Sequence, residues 1–190
     1  MTTLAEWHRR ALEATGRVVS GIAPAQFGQP TPCEEMDVRA LLNHLVSGNW
    51  WVAPLVDGRT IEEVGDRFDG DLLGDDHVAA YQASAASAAE AFEREGAMQR
   101  PVAVSYGPVP GEVYAGHRLI DVLIHGWDLA VATGQDTTLD PALVAACWDV
   151  VRPQLALLQG SGAFGRPVDA PAGADDQTLL LAALGRGARS

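Results

Sequence analysis

The chain has 190 residues, 47% of them hydrophobic, enough for one domain with a core of its own. Its net charge is −12 and all 13 basic residues are arginine, a balance that opposes nucleic-acid phosphates and offers no polybasic patch to a membrane. No apolar run approaches the ~20 residues of a membrane span. The start "MTTLAEWHRR" lacks a signal-peptide pattern, and Cys33 and Cys147 form neither a CxxC pair nor a disulfide framework. A cytoplasmic protein is expected, with a small-molecule partner and neither nucleic acid nor membrane.

The first helix is predicted from a capping box at Thr3–Glu6 to about Ile22, with Leu4, Trp7, Ala11, Ala14, Val18 and Ile22 along one face. A Pro-broken loop follows, and Asp37 caps a second helix, "DVRALLNHLVSGNWWVAPLV", with Pro54 near its end. "DGRTIEEVGDRFDGDLLGDD" is acidic and Gly-rich and reads as a surface connection; its aspartates miss calcium-loop spacing. A third, Ala-rich helix starts at Asp75 or Asp76 and stops by Gly96. "RPVAVSYGPVPGE" is chiefly a connector with room for a short extended piece. The fourth helix runs from about Glu112 to Thr133, stopped by Gly134. A fifth begins at Asp140 and Pro141, and Pro153 should kink it. The expected architecture is all-α: a four-helix bundle over 1–160, with a C-terminal loop and short helix over 161–190 packed on it, one domain overall.

The fourth helix carries the chemistry. "HRLIDVLIHGWDLA" is apolar on most sides, as a buried helix is, yet Arg118, Asp121, His125 and Asp128 share one narrow stripe. Left unpaired in the interior, such groups would cost several kcal/mol each, so something inside must satisfy them. Asp121 and His125 stand one turn apart, about 6 Å of rise, and can meet one ion; an internal Asp–His hydrogen bond explains the pair equally well. His117, two turns from His125, is too far to share that ion and would be a rim residue or another partner of Asp121. On the second helix His44 has apolar or small neighbours on its face and should point inward. His44, Asp121 and His125 together would make a three-ligand site with a coordination position left open, the pattern of catalytic rather than structural metals.

"TPCEEMDVRALLNHLVSGN" and "GHRLIDVLIHGWDLAVATGQ" resemble the signature segments of DinB-like metal-binding proteins, in the branch that includes the metal-binding N-terminal domain of mycothiol-dependent maleylpyruvate isomerase. The tail "FGRPVDAPAGADDQTLLLAALGR" resembles that of stand-alone members; the isomerase carries a further C-terminal domain that a chain of this length is not expected to include, so maleylpyruvate isomerisation itself is not the expected reaction. The resemblance implies a DinB-like four-helix bundle holding a divalent metal, usually zinc, on His44, Asp121 and His125. The isomerase has glutamate at the carboxylate position and many relatives histidine. The shorter, harder Asp121 opens the site to nickel, cobalt or manganese. Met36 stands where the family commonly has tryptophan.

Characterised relatives use a low-molecular-weight thiol such as mycothiol, which implies a metal-dependent thiol S-transferase or isomerase acting on a small electrophile. Tyr106, Glu112 and Arg118 would line the mouth; Arg118 would bind a carboxylate of thiol or substrate, or else pair with a neighbouring acid. Asp128 would orient a ligand histidine or bind a backbone amide. Trp127, Trp50 and Trp51 are expected to pack the core, with room for one to line the pocket, and Cys33 to be structural or near the metal. The competing readings are a non-catalytic metal-binding, stress-response or sensor module and, on ligand chemistry alone, a non-haem iron oxygenase. A homodimer stays open.

Overall fold

The computed structural model describes residues 2–33, 36–160 and 165–187. Helix α1, Leu4–Ser20, begins at the expected capping box: the Thr3 hydroxyl accepts from the Glu6 amide, and the Glu6 carboxylate accepts from the Thr3 amide. Helix α2, Val38–Val56, is capped by Asp37, contains Pro54 in its last turn and ends two residues later. Helix α4, His77–Glu93, is capped by Asp76, and Gly96 takes φ 74° in the turn beyond it. Helix α5, Gly111–Thr133, ends at Gly134 in the left-handed conformation that glycine adopts most easily. Helix α6, Pro141–Val151, gives way at Pro153 to a 3₁₀ turn, Arg152–Gln154, and then to α7, Leu155–Gly160; α8 spans Asp176–Ala183.

Two segments differ from expectation. The acidic connection after α2 is not a plain surface loop. It holds a short helix α3, Ile61–Val64, with its own Thr60–Glu63 capping box. It is also tacked onto α2: Asn43 Nδ2 donates to the Gly70 carbonyl, Ser47 to the Phe68 carbonyl, and Phe68 packs against Trp50 and Trp51. The connector before α5 is a regular antiparallel hairpin, β1 Pro101–Val104 with β2 Gly107–Pro110. Pro101 and Pro110 pair at the open end, where a missing donor matters least, and Gly107 supplies the φ of 117° that the turn needs.

The packing closes a ring: α1 lies on α5 and α4, and α2 lies on α4 and α5. Leu41, Leu42 and Leu45 of α2 and Leu119, Ile120, Leu123 and Ile124 of α5 meet in its centre, all buried. The fold is thus all-α in its main architecture, a DinB-like four-helix bundle with a short helical extension, as expected. The boundary expected at 160/161 meets residues 161–164, outside those described. Beyond it, α8 packs on α6, and Trp148 Nε1 donates to the Asp176 carbonyl. Among the described residues, no helix is long and apolar enough to cross a membrane.

One close approach depends on glycine. A Cβ at Gly126 would sit 2.2 Å from Thr15 Oγ1, whose hydroxyl donates to the Val122 carbonyl inside the α1–α5 contact. Gly126→Ala should therefore destabilise the protein by about 2–4 kcal/mol, through overpacking and loss of that buried bond. The urea midpoint checks it, and an unchanged midpoint would mean that the two helices separate freely.

Candidate metal centre

The stripe on α5 and one residue of α2 form the centre. His44 Nε2 lies 3.2 Å from Asp121 Oδ1, and His125 Nε2 lies 3.5 Å from the same oxygen. One donor atom from each of the three residues lies within 4.8 Å of the others, and the two imidazoles meet edge to face with centroids 5.2 Å apart. A tetrahedral site with bonds of about 2.0–2.1 Å has donor–donor edges of about 3.4 Å. The two edges that meet at Asp121 Oδ1, 3.2 and 3.5 Å, therefore suit a common cation. Two imidazoles and a carboxylate are also a donor set that borderline divalent ions accept.

His44 is not inward as the pattern of its neighbours suggested. Its side chain is 39% exposed, at the edge of the face that Leu41, Leu42 and Leu45 bury. Exposure falls along the stripe, from Asp121 at 20% to Asp128 at 0%. One side of the cluster thus faces solvent and the other is deep in protein.

Arg118 is also placed differently from the expectation of a mouth residue. It is buried across α2 at Gly48, where any Cβ would meet its guanidinium at 2.5 Å. Its Nη1 donates to Asp121 Oδ2 at 2.8 Å and its Nη2 to Asn49 Oδ1 at 3.1 Å. Asn49 in turn donates to Ser84 of α4. This arginine is spent on protein partners, and its work is to fix Asp121: Oδ2 goes to the guanidinium, so Oδ1 faces the histidines.

The charges reinforce one another. Burial alone would raise the Asp121 pKa, but Arg118 first and His125 next hold it well below the usual carboxylate range. Burial alone would lower the His125 pKa, but Asp121, and hydrogen bonds to Asp121 and Asp128, raise it to about 9. His125 Nδ1 is 3.0 Å from Asp128 Oδ2, so Asp128 accepts its N–H and turns Nε2 toward Asp121. Asp128 therefore orients a histidine rather than binding a backbone amide.

Sequence reasoning passed over two members. Asn49 was legible as a polar residue five places after His44 in an apolar helix. Arg186 follows α8 and reaches Asp128 with two bonds, Nε to Oδ1 at 3.2 Å and Nη2 to Oδ2 at 2.7 Å. The stripe itself gave a signal for Arg186, since it carries two aspartates and one arginine. Cys33 comes within 4.8 Å of donor atoms of His125 and Asp128. That second trio is a poor cation site, because the Arg186 guanidinium already occupies both Asp128 oxygens. Burial pushes the Cys33 thiol up, with Arg186 acting against it.

The remaining mouth residues sit on the outer flank of the first turns of α5. Tyr106, 63% exposed on the hairpin turn, lies 3.1 Å from His117 Nδ1, and His117 Nε2 lies 3.3 Å from Gln154 Oε1. Gln154 Nε2 donates to the Val150 carbonyl, so its Oε1 accepts from His117 and the Tyr106 hydroxyl donates to Nδ1. His117 is thus a partner of Tyr106 and Gln154 rather than of Asp121. Glu112 is exposed at the start of α5. Trp127 is partly buried against the core and edges a cleft between α1 and the 135–140 segment.

The fold and the cluster define the class: a DinB-like helical bundle with two histidines and a carboxylate converging at one edge. Residues 8–130 match the family described as the mycothiol maleylpyruvate isomerase N-terminal domain, and the chain belongs to that family. Two uncharacterized proteins of Mycobacterium tuberculosis, from strains CDC 1551 and H37Rv, are each 40% identical to it over 156 residues, 77% of this chain and 79% of theirs. Among solved structures, the mycothiol-dependent maleylpyruvate isomerase superimposes with a TM-score of 0.61 at 17% identity, over 85% of this chain and 72% of that one. A histidine-to-alanine mutant of the same enzyme gives 0.62.

Proposed function

We propose that the protein binds a divalent metal, most simply zinc, through His44, Asp121 and His125, and acts as a mycothiol-type S-transferase or isomerase on a small electrophile. The observation that carries the reading is the pair of donor separations, 3.2 and 3.5 Å, about a single Asp121 oxygen. Membership of a family named for a mycothiol-dependent isomerase supports the thiol. A bound divalent ion supplies Lewis acidity, which deprotonates a coordinated thiol near neutral pH. The chain's own residues hold the donors still: Asn49 and Arg118 fix Asp121, Asp128 fixes His125, and the exposed edge of His44 leaves that side open to thiol and electrophile.

One observation favours the non-catalytic alternative, a metal-binding or sensor module. Arg118 is engaged by Asp121 and Asn49, Tyr106 by His117, and Glu112 is exposed at the start of α5, so none of the three is placed to pass a proton to a group bound on the open side of the cluster. The division into a bundle over 1–160 and a packed extension over 161–190, and a cytoplasmic location, belong to the same proposal; they are supported by the contact of α8 with α6 and by the sequence composition.

The test is consumption of chloro-dinitrobenzene by the zinc- or cobalt-loaded protein with mycothiol. The enzyme reading expects turnover that needs both metal and thiol and disappears in His125→Ala. Stoichiometric metal uptake without turnover would leave the binding module.

A further inference from the structure

A cation from a distant segment of the chain, Arg186, is buried beneath the cluster. Asp128 is fully buried, and a carboxylate there calls for a paired, hydrogen-bonded cation. Arg186 supplies it through two hydrogen bonds, both nitrogens reaching the one carboxylate. Each aspartate of the stripe therefore has its own arginine: Arg118 for Asp121 and Arg186 for Asp128.

The aim of Arg186 is built into the end of α8. Gly185 takes φ 80°, its amide donates to the Ala182 carbonyl, and the Arg186 amide donates to the Leu181 carbonyl. These two bonds make a Schellman stop. Arg186 Nη1 also donates to the Leu184 carbonyl, which fixes the guanidinium at the angle that meets Asp128. α8 is itself anchored elsewhere, since Gln177 accepts from the Leu139 amide and donates to the Thr137 carbonyl.

We propose that Arg186 is a positioning residue of the metal centre: through Asp128 it holds the His125 ring with Nε2 presented to the cation, so the docked C-terminal segment completes the site. This rests on the metal reading above. The path is continuous, from the Arg186 guanidinium to Asp128, to His125 Nδ1, and across the ring to Nε2 beside Asp121. Partners of this kind behind a ligand histidine typically carry about 10–100-fold in metal affinity.

The experiment is cobalt(II) titration of the full chain, followed by the visible ligand-field bands and by the hyperfine-shifted, exchangeable Nδ1–H proton of His125. Arg186→Met should weaken cobalt about 10–100-fold and lose the slowly exchanging proton. Arg186→Lys, which keeps the charge, should recover part of both. Gln177→Ala removes two bonds to the 137–139 segment but leaves the helix stop and the Arg186–Asp128 pair in place, and should stay near wild type. Should Arg186→Met fail to fold, the double variant Asp128→Asn, Arg186→Met strands no buried charge and carries the same expectation. Wild-type affinity and an unchanged proton signal in the arginine variants would overturn the proposal, as would an equal loss in Gln177→Ala. A wild-type protein that takes up no cobalt would remove the metal reading itself, and this inference with it.

Discussion

His125→Ala should leave a folded protein that no longer retains metal. An apparent affinity of the order of 10–16 kcal/mol, shared over about four bonds, assigns about 2.5–4 kcal/mol to each ligand, a loss of about 70- to 900-fold. The rest of the cluster survives the substitution, because Asp121 keeps Arg118 and Asp128 keeps Arg186. The fold should therefore persist while the ion is lost. His44→Ala should lose metal similarly with even less effect on stability, since its side chain is 39% exposed. Elemental analysis after dialysis, on wild type beside both variants, reads the outcome. Metal content unchanged in both variants would refute the ligand assignment.

The second large effect concerns His8, a residue outside the cluster. It is fully buried on α1, edge to face with Phe92 at 5.0 Å, and neither ring nitrogen has a hydrogen-bond partner among the described residues. Burial first, then the Arg118 and Arg9 charges, push its pKa down from 6.5 to about 3. Between those values the unfolded chain binds a proton that the folded one refuses. Folding stability therefore falls as pH drops through this window, by up to about 5 kcal/mol over the full range. His8→Leu removes that term. Wild type should lose about 2–3 kcal/mol more than the variant between pH 7 and 4.5, read from urea midpoints at the two pH values. At pH 7 the variant should be no less stable, since it no longer buries two unsatisfied nitrogens. Parallel losses in the two proteins would show that His8 does not titrate on unfolding.

How much of the site was legible depended on how local each relation is. Asp121, His125 and Asp128 could be placed together from spacing alone, because a helix carries residues three and four apart onto one face whatever surrounds it. The caps at Thr3, Asp37 and Asp140, and the stop at Gly134, were legible for the same reason, and that at Asp76 to within one residue: each uses atoms within a few residues. His44 was legible as a member from its apolar neighbours and from family resemblance, but its half-exposed position was not. A helix face has a border, and which helices pack beside it decides on which side of that border a residue falls.

The order of helices, their caps and the polar stripe were thus determined by the amino-acid sequence itself, since they rest on backbone periodicity and short-range hydrogen bonds. Only the tertiary structure decided that Arg118 turns inward to Asn49 and that the acidic connection is pinned to α2 by Asn43 and Ser47. It alone brought Arg186 to Asp128 across 58 positions of chain. The physical reason is that a buried charge must find its counterion by proximity, and proximity between distant segments is settled by how whole helices dock.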